Sequence, residues 1–193
     1  METLEDEKLR EAGLARLNRL EQSWEEPPPP AGELIRRLSS EGAAQGGNLH
    51  TRQMRNWTAR DLAEARASFR ELPTEARDRA SRLMIEQSNW QVTAPIRSEA
   101  LSHLVASGSN GGLSERQFLQ RVSETAARWG RADPEAAAEW VTSLPPGDAR
   151  EWAARNVVRE WAGHSEEEAR GWVEGLPAAG ERELLLRIVE EGR

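Results

Sequence analysis

The chain has 193 residues, of which 37% are hydrophobic and 31% charged, with eight tryptophans, no cysteine and a formal net charge of −7. That balance is too polar for a membrane protein and too apolar for a wholly disordered one, and the absence of cysteine excludes disulfides and thiolate chemistry. The charge is uneven: residues 1–51 hold 10 acids and 6 bases, 52–82 hold 5 and 8, 83–130 hold 4 and 4, and 131–193 hold 14 and 8, so an acidic whole that repels nucleic acid and anionic lipid at long range favours protein partners.

Residues 1–10 are mostly charged, and no run approaches the roughly 18 apolar residues of a membrane span. A soluble, cytoplasmic protein without a secretion signal is expected. Leu17, Leu20 and Trp24 stand at i, i+3 and i+7, which predicts an amphipathic helix within residues 1–26. Pro27 to Pro30 must end it, because proline donates no backbone hydrogen bond and holds its predecessor extended. Residues 27–55 then read as a Pro/Gly-rich linker, with a short helix over 33–38 and a loop carrying Gly42, Gly46 and Gly47.

From Trp57 onward the sequence repeats itself. Trp129, Trp140, Leu144, Pro145 and Arg150 recur 32 residues later as Trp161, Trp172, Leu176, Pro177 and Arg182. A fixed period of this length marks stacked supersecondary units that cannot bury their apolar faces alone. The distance from a leading tryptophan to a helix-ending Leu-Pro is 15 in three places, Trp57 to Leu72, Trp129 to Leu144 and Trp161 to Leu176. Trp90 opens a more diverged copy, with Pro95 placed as Pro134 is. Repeats are therefore predicted to start near 57, 90, 129 and 161, within a repeat domain over 57–193.

Each unit has the grammar of a helical hairpin. Asp133 is the N-cap and Pro134 the first helical position, and Ala137, Trp140, Val141 and Leu144 make the apolar face before Pro145 and Gly147 break it. Asp148 restarts the chain into a second helix with Trp152, Val157, Val158 and Trp161 on or beside one face. Thr58 with Asp61, Ser114 with Gln117 and Ser165 with Glu168 are three predicted capping boxes. The predicted fold class is all-α, an α-α superhelix (solenoid) of about four helical hairpins preceded by the amphipathic helix.

The pattern W-x3-D-P-x2-A-x2-W-x3-L-P, carried by Trp129, Asp133, Pro134, Ala137, Trp140, Leu144 and Pro145, resembles the short tandem helical-hairpin repeats of many uncharacterised bacterial proteins. More distantly it is similar to tetratricopeptide (TPR-like) solenoids, although it lacks the Leu-Gly and Tyr of their first helix. The resemblance implies a superhelix that binds proteins, and it carries over no catalytic residue.

Candidate sites compete with plainer structural roles. The arginines Arg52, Arg55, Arg60, Arg66, Arg70, Arg77, Arg79 and Arg82 surround Trp57, and the patch Arg66, Arg70, Arg77, Arg79, Arg82 supports an alternative reading as a nucleic-acid-associated protein. Asp61, Glu64, Glu71, Glu75 and Asp78 interleave with them at ion-pair spacing. The recurring tryptophans are expected to pack one repeat on the next. His50, His103 and His164 show no metal spacing, Ser165 beside His164 is explained by capping, and Gly108 to Gly112 follow a helix rather than a strand, so no catalytic, cofactor or metal site is predicted and the protein is expected not to be an enzyme. The last helix is sharper: Leu184, Leu185, Leu186, Ile188 and Val189 replace Trp152, Ala153, Ala154, Asn156 and Val157 of the preceding copy. Leu185, Leu186 and Ile188 are expected to offer a surface for end-to-end self-association or for docking of the N-terminal helix, against the plainer reading in which Leu184, Ile188 and a neighbour fill the core and one leucine stays exposed. The function expected is a non-enzymatic scaffold or adaptor for a protein or peptide partner.

Overall fold

The computed structural model of the protein describes residues 29–40, 54, 57–86 and 94–191. The chain divides between Pro30 and Ala31 into two units, and the helices of the described residues belong to the second. The helix expected within residues 1–26, most of the linker loop and Trp90 lie outside the described residues. Those residues contain helices and no strand: α1 (Ala31–Ser39), α2 (Ala59–Glu71), α3 (Thr74–Glu86), α4 (Ala94–Ala106), α5 (Glu115–Ala132), α6 (Pro134–Ser143), α7 (Asp148–Ala162), α8 (Glu166–Glu174) and α9 (Ala179–Glu191).

Local chemistry sets the boundaries. Thr58 and Ser114 each accept from the backbone N–H three residues on, and Asp61 and Gln117 reach back to the cap's own N–H, two complete capping boxes. The Thr58 backbone N–H, and then its hydroxyl, hold the Asp61 carboxyl below the usual carboxylate range. Asp133 and Ser165, 32 residues apart, share one backbone conformation, φ −157°, ψ 82° and φ −149°, ψ 96°. Each donates its N–H to the carbonyl of the leading tryptophan, Asp133 to Trp129 at 2.7 Å and Ser165 to Trp161 at 2.8 Å. Each also accepts from the backbone three residues on, at 3.1 and 3.4 Å. Asp133 thus ends α5 and caps α6, whereas α7 ends on Gly163 and Ser165 caps only α8.

The Leu-Pro turns are built alike. Leu72, Leu144 and Leu176 are buried, and each donates its N–H to the carbonyl three residues back, at 3.3, 3.1 and 3.1 Å. An arginine at the start of the following helix then donates to the leucine carbonyl: Arg77 to Leu72 at 2.9 Å, Arg150 to Leu144 at 3.3 Å, and Arg182 to Leu176. A helix that ends on a proline leaves its last carbonyls without partners, and the guanidinium supplies charge-assisted donors for them. This accounts for the arginine in the 32-residue pattern.

Packing follows two rows in the C-terminal half. The longer helices α5, α7 and α9 pack in succession, α7 against both of the others, while α6 packs on α5 and α7 and α8 packs on α7 and α9. Gly130 lets α5 and α7 approach: a Cβ there would stand 3.0 Å from the Val157 Cα, which is backbone-anchored and cannot move aside. Val157, Val158, Ala153 and Ala154 of α7 are all buried. Burial on this scale supplies about 1.5–3 kcal/mol for each valine.

The short helix expected over 33–38 runs two residues further at its start and one at its end, and it is not a linker element. Ala31, Ile35 and Leu38 belong to the same core as α2 and α3, and α1 packs against both. Gly32 allows that approach, since its N–H donates to the Glu64 carboxylate at 3.1 Å and a Cβ would overlap the Ser68 hydroxyl. Three further expectations are corrected. Trp57 stands ahead of the α2 cap rather than in the last turns of a helix as Trp129 and Trp161 do, although it packs partly buried against the core as Trp129 does. Trp152 is 46% exposed, turned away from the face that buries Val157, Val158 and Trp161. Glu168 does not close a capping box with Ser165, because the Ser165 N–H is already held by Trp161 and the Glu168 carboxylate accepts the Trp161 indole N–H at 3.2 Å instead.

Candidate functional site

The two copies of the tryptophan pair have one geometry. Trp129 and Trp140 lie with ring centroids 5.8 Å apart and planes at 31°, and Trp161 and Trp172 at 6.3 Å and 35°. Each pair spans a junction made by Asp133 or Ser165, and the shared cap conformation positions both rings. The indole N–H groups of Trp140 and Trp161 are satisfied, the first by the Ser102 hydroxyl at 3.0 Å and the second by Glu168.

Each pair floors a groove. The first, about 370 Å³, runs between α4 and α6, with Glu99 and Ser102 on one wall and Ala136 and Glu139 on the other. Arg66 and Arg70 of α2 line it too. The second, about 390 Å³, is lined by Glu135, Ala138, Glu139 and Thr142 of α6 together with Trp161 and Trp172. Glu139 borders both. A third groove, about 460 Å³, lies between the α6–α7 and α8–α9 turns, but Arg150 and Glu181 on its walls already satisfy each other.

The basic zone is held by its own chain. Arg66 donates to Glu99 at 2.7 Å and Arg70 donates to the same carboxylate at 3.2 Å, with the Glu99 side chain only 15% exposed. Arg77 donates to the carbonyls of Phe69 and Leu72, and its guanidinium lies 5.9 Å from the Phe69 ring centre. Arg79 donates to the Ser39 carbonyl at 3.0 Å, tying α3 to α1. The Arg82 stem lies over Gly111 in the α4–α5 loop. Four of these five arginines thus have hydrogen-bond partners within the chain, Arg66 and Arg70 sharing one.

At the last helix, Leu185 lies in the core at 1% exposure, and Leu186 and Ile188 are partly buried against it. A Leu185→Arg variant would therefore report on packing before association. His103 Nε2 and Asp78 Oδ1 are 2.6 Å apart beside the edge of Phe69, an interhelical pair of α3 and α4. His164 Nδ1 lies 2.8 Å from the Glu160 carbonyl at the end of α7. Ser165 is the cap of α8. Among the described residues no cluster of three or more His, Asp or Glu side chains has metal-binding geometry, and no helix is long and apolar enough to cross a membrane.

Sequence reasoning misses Glu99, Glu135 and Glu139 as wall residues, yet for the last two a signal exists. Glu151, Glu166 and Glu183 each have an arginine four residues on and pair with it. Glu135 is followed at that distance by Glu139, and Glu139 by Ser143. Arg131, four residues before Glu135, pairs across α5 and α7 with Glu160 at 2.9 Å. No family model, curated protein or solved structure matches the chain.

Proposed function

We propose that the protein is a non-enzymatic scaffold or adaptor, residues 57–193 forming a right-handed α-α superhelix of about four hairpins that presents one face to a protein or peptide partner. The observation that carries this reading is the recurrence, at a spacing of 32 residues, of one construction: an N-cap of matched backbone conformation between two helices, a tilted tryptophan pair, and an arginine closing a Leu-Pro turn. Short helices at regular intervals, with a groove between each and the next, are the arrangement by which repeat proteins hold extended partners.

The test is capture from the native host on the immobilised full chain, followed by titration with the purified partner. A partner whose affinity is reduced by polar substitutions along one face, with the fold intact by circular dichroism, supports the reading. A chain that holds no host protein above a charge-matched control overturns it.

A further inference from the structure

The groove at Trp161 and Trp172 repeats the groove at Trp129 and Trp140 with one difference. In the first, the wall carboxylate Glu99 sits beside the tryptophan pair and receives two guanidinium groups, from Arg66 and Arg70. In the second, the wall carboxylates are Glu135 and Glu139, one helical turn apart on α6, both exposed. No basic residue among the described ones pairs with either. A third carboxylate, Glu168, accepts the Trp161 indole N–H. Glu139 also borders the first groove, but the Arg66 and Arg70 guanidinium groups there are held by Glu99.

We infer that the Trp161–Trp172 groove binds an arginine side chain from a basic segment of a partner protein, seated between the indole pair and the carboxylates of Glu135 and Glu139. The inference rests on the scaffold reading in that the occupant belongs to a protein partner. The guanidinium–carboxylate pairing is that of the first groove, supplied from outside. A planar guanidinium lies flat against an aromatic face and donates in its own plane to carboxylates, which a compact ammonium cannot do in one pose. The volume of about 390 Å³ suits a single side chain with room for water at the rim. Each contact alone is weak, so one arginine is held with a Kd on the order of millimolar, and affinity for a partner arises from several contacts along the face.

The experiment is a titration of the ¹⁵N-labelled full chain with an acetylated, amidated tri-arginine peptide. Tri-lysine and tri-citrulline peptides serve as controls for geometry and for charge. The indole N–H resonances of Trp161 and Trp172 are expected to shift saturably with tri-arginine, several-fold less with tri-lysine, and not with tri-citrulline. The double variant Glu135→Gln, Glu139→Gln, altered only at exposed positions, is expected to weaken tri-arginine binding about five- to tenfold, as is 0.5 M salt. Unmoved indole resonances, equal responses to all three peptides, equal responses to arginine and lysine, or an unchanged affinity in the double variant would each overturn the inference. The scaffold reading fails separately: a purified host partner that binds the wild type and the double variant equally leaves it standing while this site falls, and a chain that binds tri-arginine but holds no host protein does the reverse.

Discussion

Arg150 on α7 and Glu181 on α9 meet through two N–H···O bonds, each 3.0 Å, with the side chains 14% and 18% exposed. The same guanidinium holds the Leu144 carbonyl, so one side chain closes a turn and joins two helices. Planar bidentate pairing of this kind is specific to arginine. Arg150→Ala is expected to lower the unfolding free energy in urea by about 2–3 kcal/mol, and Arg150→Lys by an intermediate amount. Arg182→Ala, which removes the contacts to the Leu176 and Pro177 carbonyls, should cost about 1 kcal/mol. Equal losses for the two alanine variants would contradict the bridging role.

Two glycines in helices are expected to respond with opposite signs. At Gly130 a methyl group meets the Val157 backbone at 3.0 Å, so Gly130→Ala must push α5 from α7 and should destabilise by about 1–3 kcal/mol. At Gly171 in α8 nothing lies within 4 Å of the added methyl, and Gly171→Ala should stabilise by about 0.5–1 kcal/mol through the unfolded chain's lost freedom. Thermal or urea unfolding of the pair reads both signs at once.

Glu99 is the hub of the basic zone. Replacing it with alanine leaves Arg66 and Arg70 without their shared carboxylate and should cost about 1 kcal/mol or less, since both arginines remain largely exposed. The sharper readout is retention on heparin. The wild type should elute at low salt, and Glu99→Ala distinctly later. Strong wild-type retention would speak for the nucleic-acid alternative.

Arg97 is buried at 3% exposure, with a hydrogen bond to the Ile85 carbonyl. Burial, reinforced by the charges of Arg121 and Arg128 and opposed by Glu124, pushes its pKa down to about 10. Because the unfolded chain binds this proton more tightly, the cost of burying the charge is fully present below pH 10 and is relieved as pH rises above it. Arg97→Met should therefore be as stable as the wild type at pH 7, or more stable by up to about 2 kcal/mol. The difference should narrow between pH 10 and 11 in paired urea titrations, and a variant several kcal/mol less stable at pH 7 would show the charge to be structurally required.

What could be read from the sequence was what lies within a few residues of itself. Asp133-Pro134, Thr58 with Asp61, and Ser114 with Gln117 announce helix starts because a cap and its partner are three residues apart. The Leu-Pro turns announce the stops for the same reason. Long-range choices were not legible. Nothing near Arg66 or Arg70 points to Glu99, about thirty residues on, as their shared partner. Trp152 shares a helix with Trp161, and only the placement of α5 and α9 decides that one is exposed and the other buried. Glu168 satisfies the spacing of a capping box, but an indole N–H seven residues back competes for its carboxylate and wins. The run of leucines in α9 reads as exposed only until α7 and α8 are set against it, when Leu185 proves to be the residue turned inward.

The matched conformations of Asp133 and Ser165 bear on how such a chain tolerates change in length. Excising residues 133–164 would bring Ala132 directly onto Ser165, a residue already bent to receive it, so the splice demands no new backbone geometry. Losing a single residue from within α7 would instead rotate everything beyond it by about 100° and carry Val157 away from Gly130. Gain or loss in whole blocks is the mild edit for this architecture, and the one-residue edit is the ruinous one.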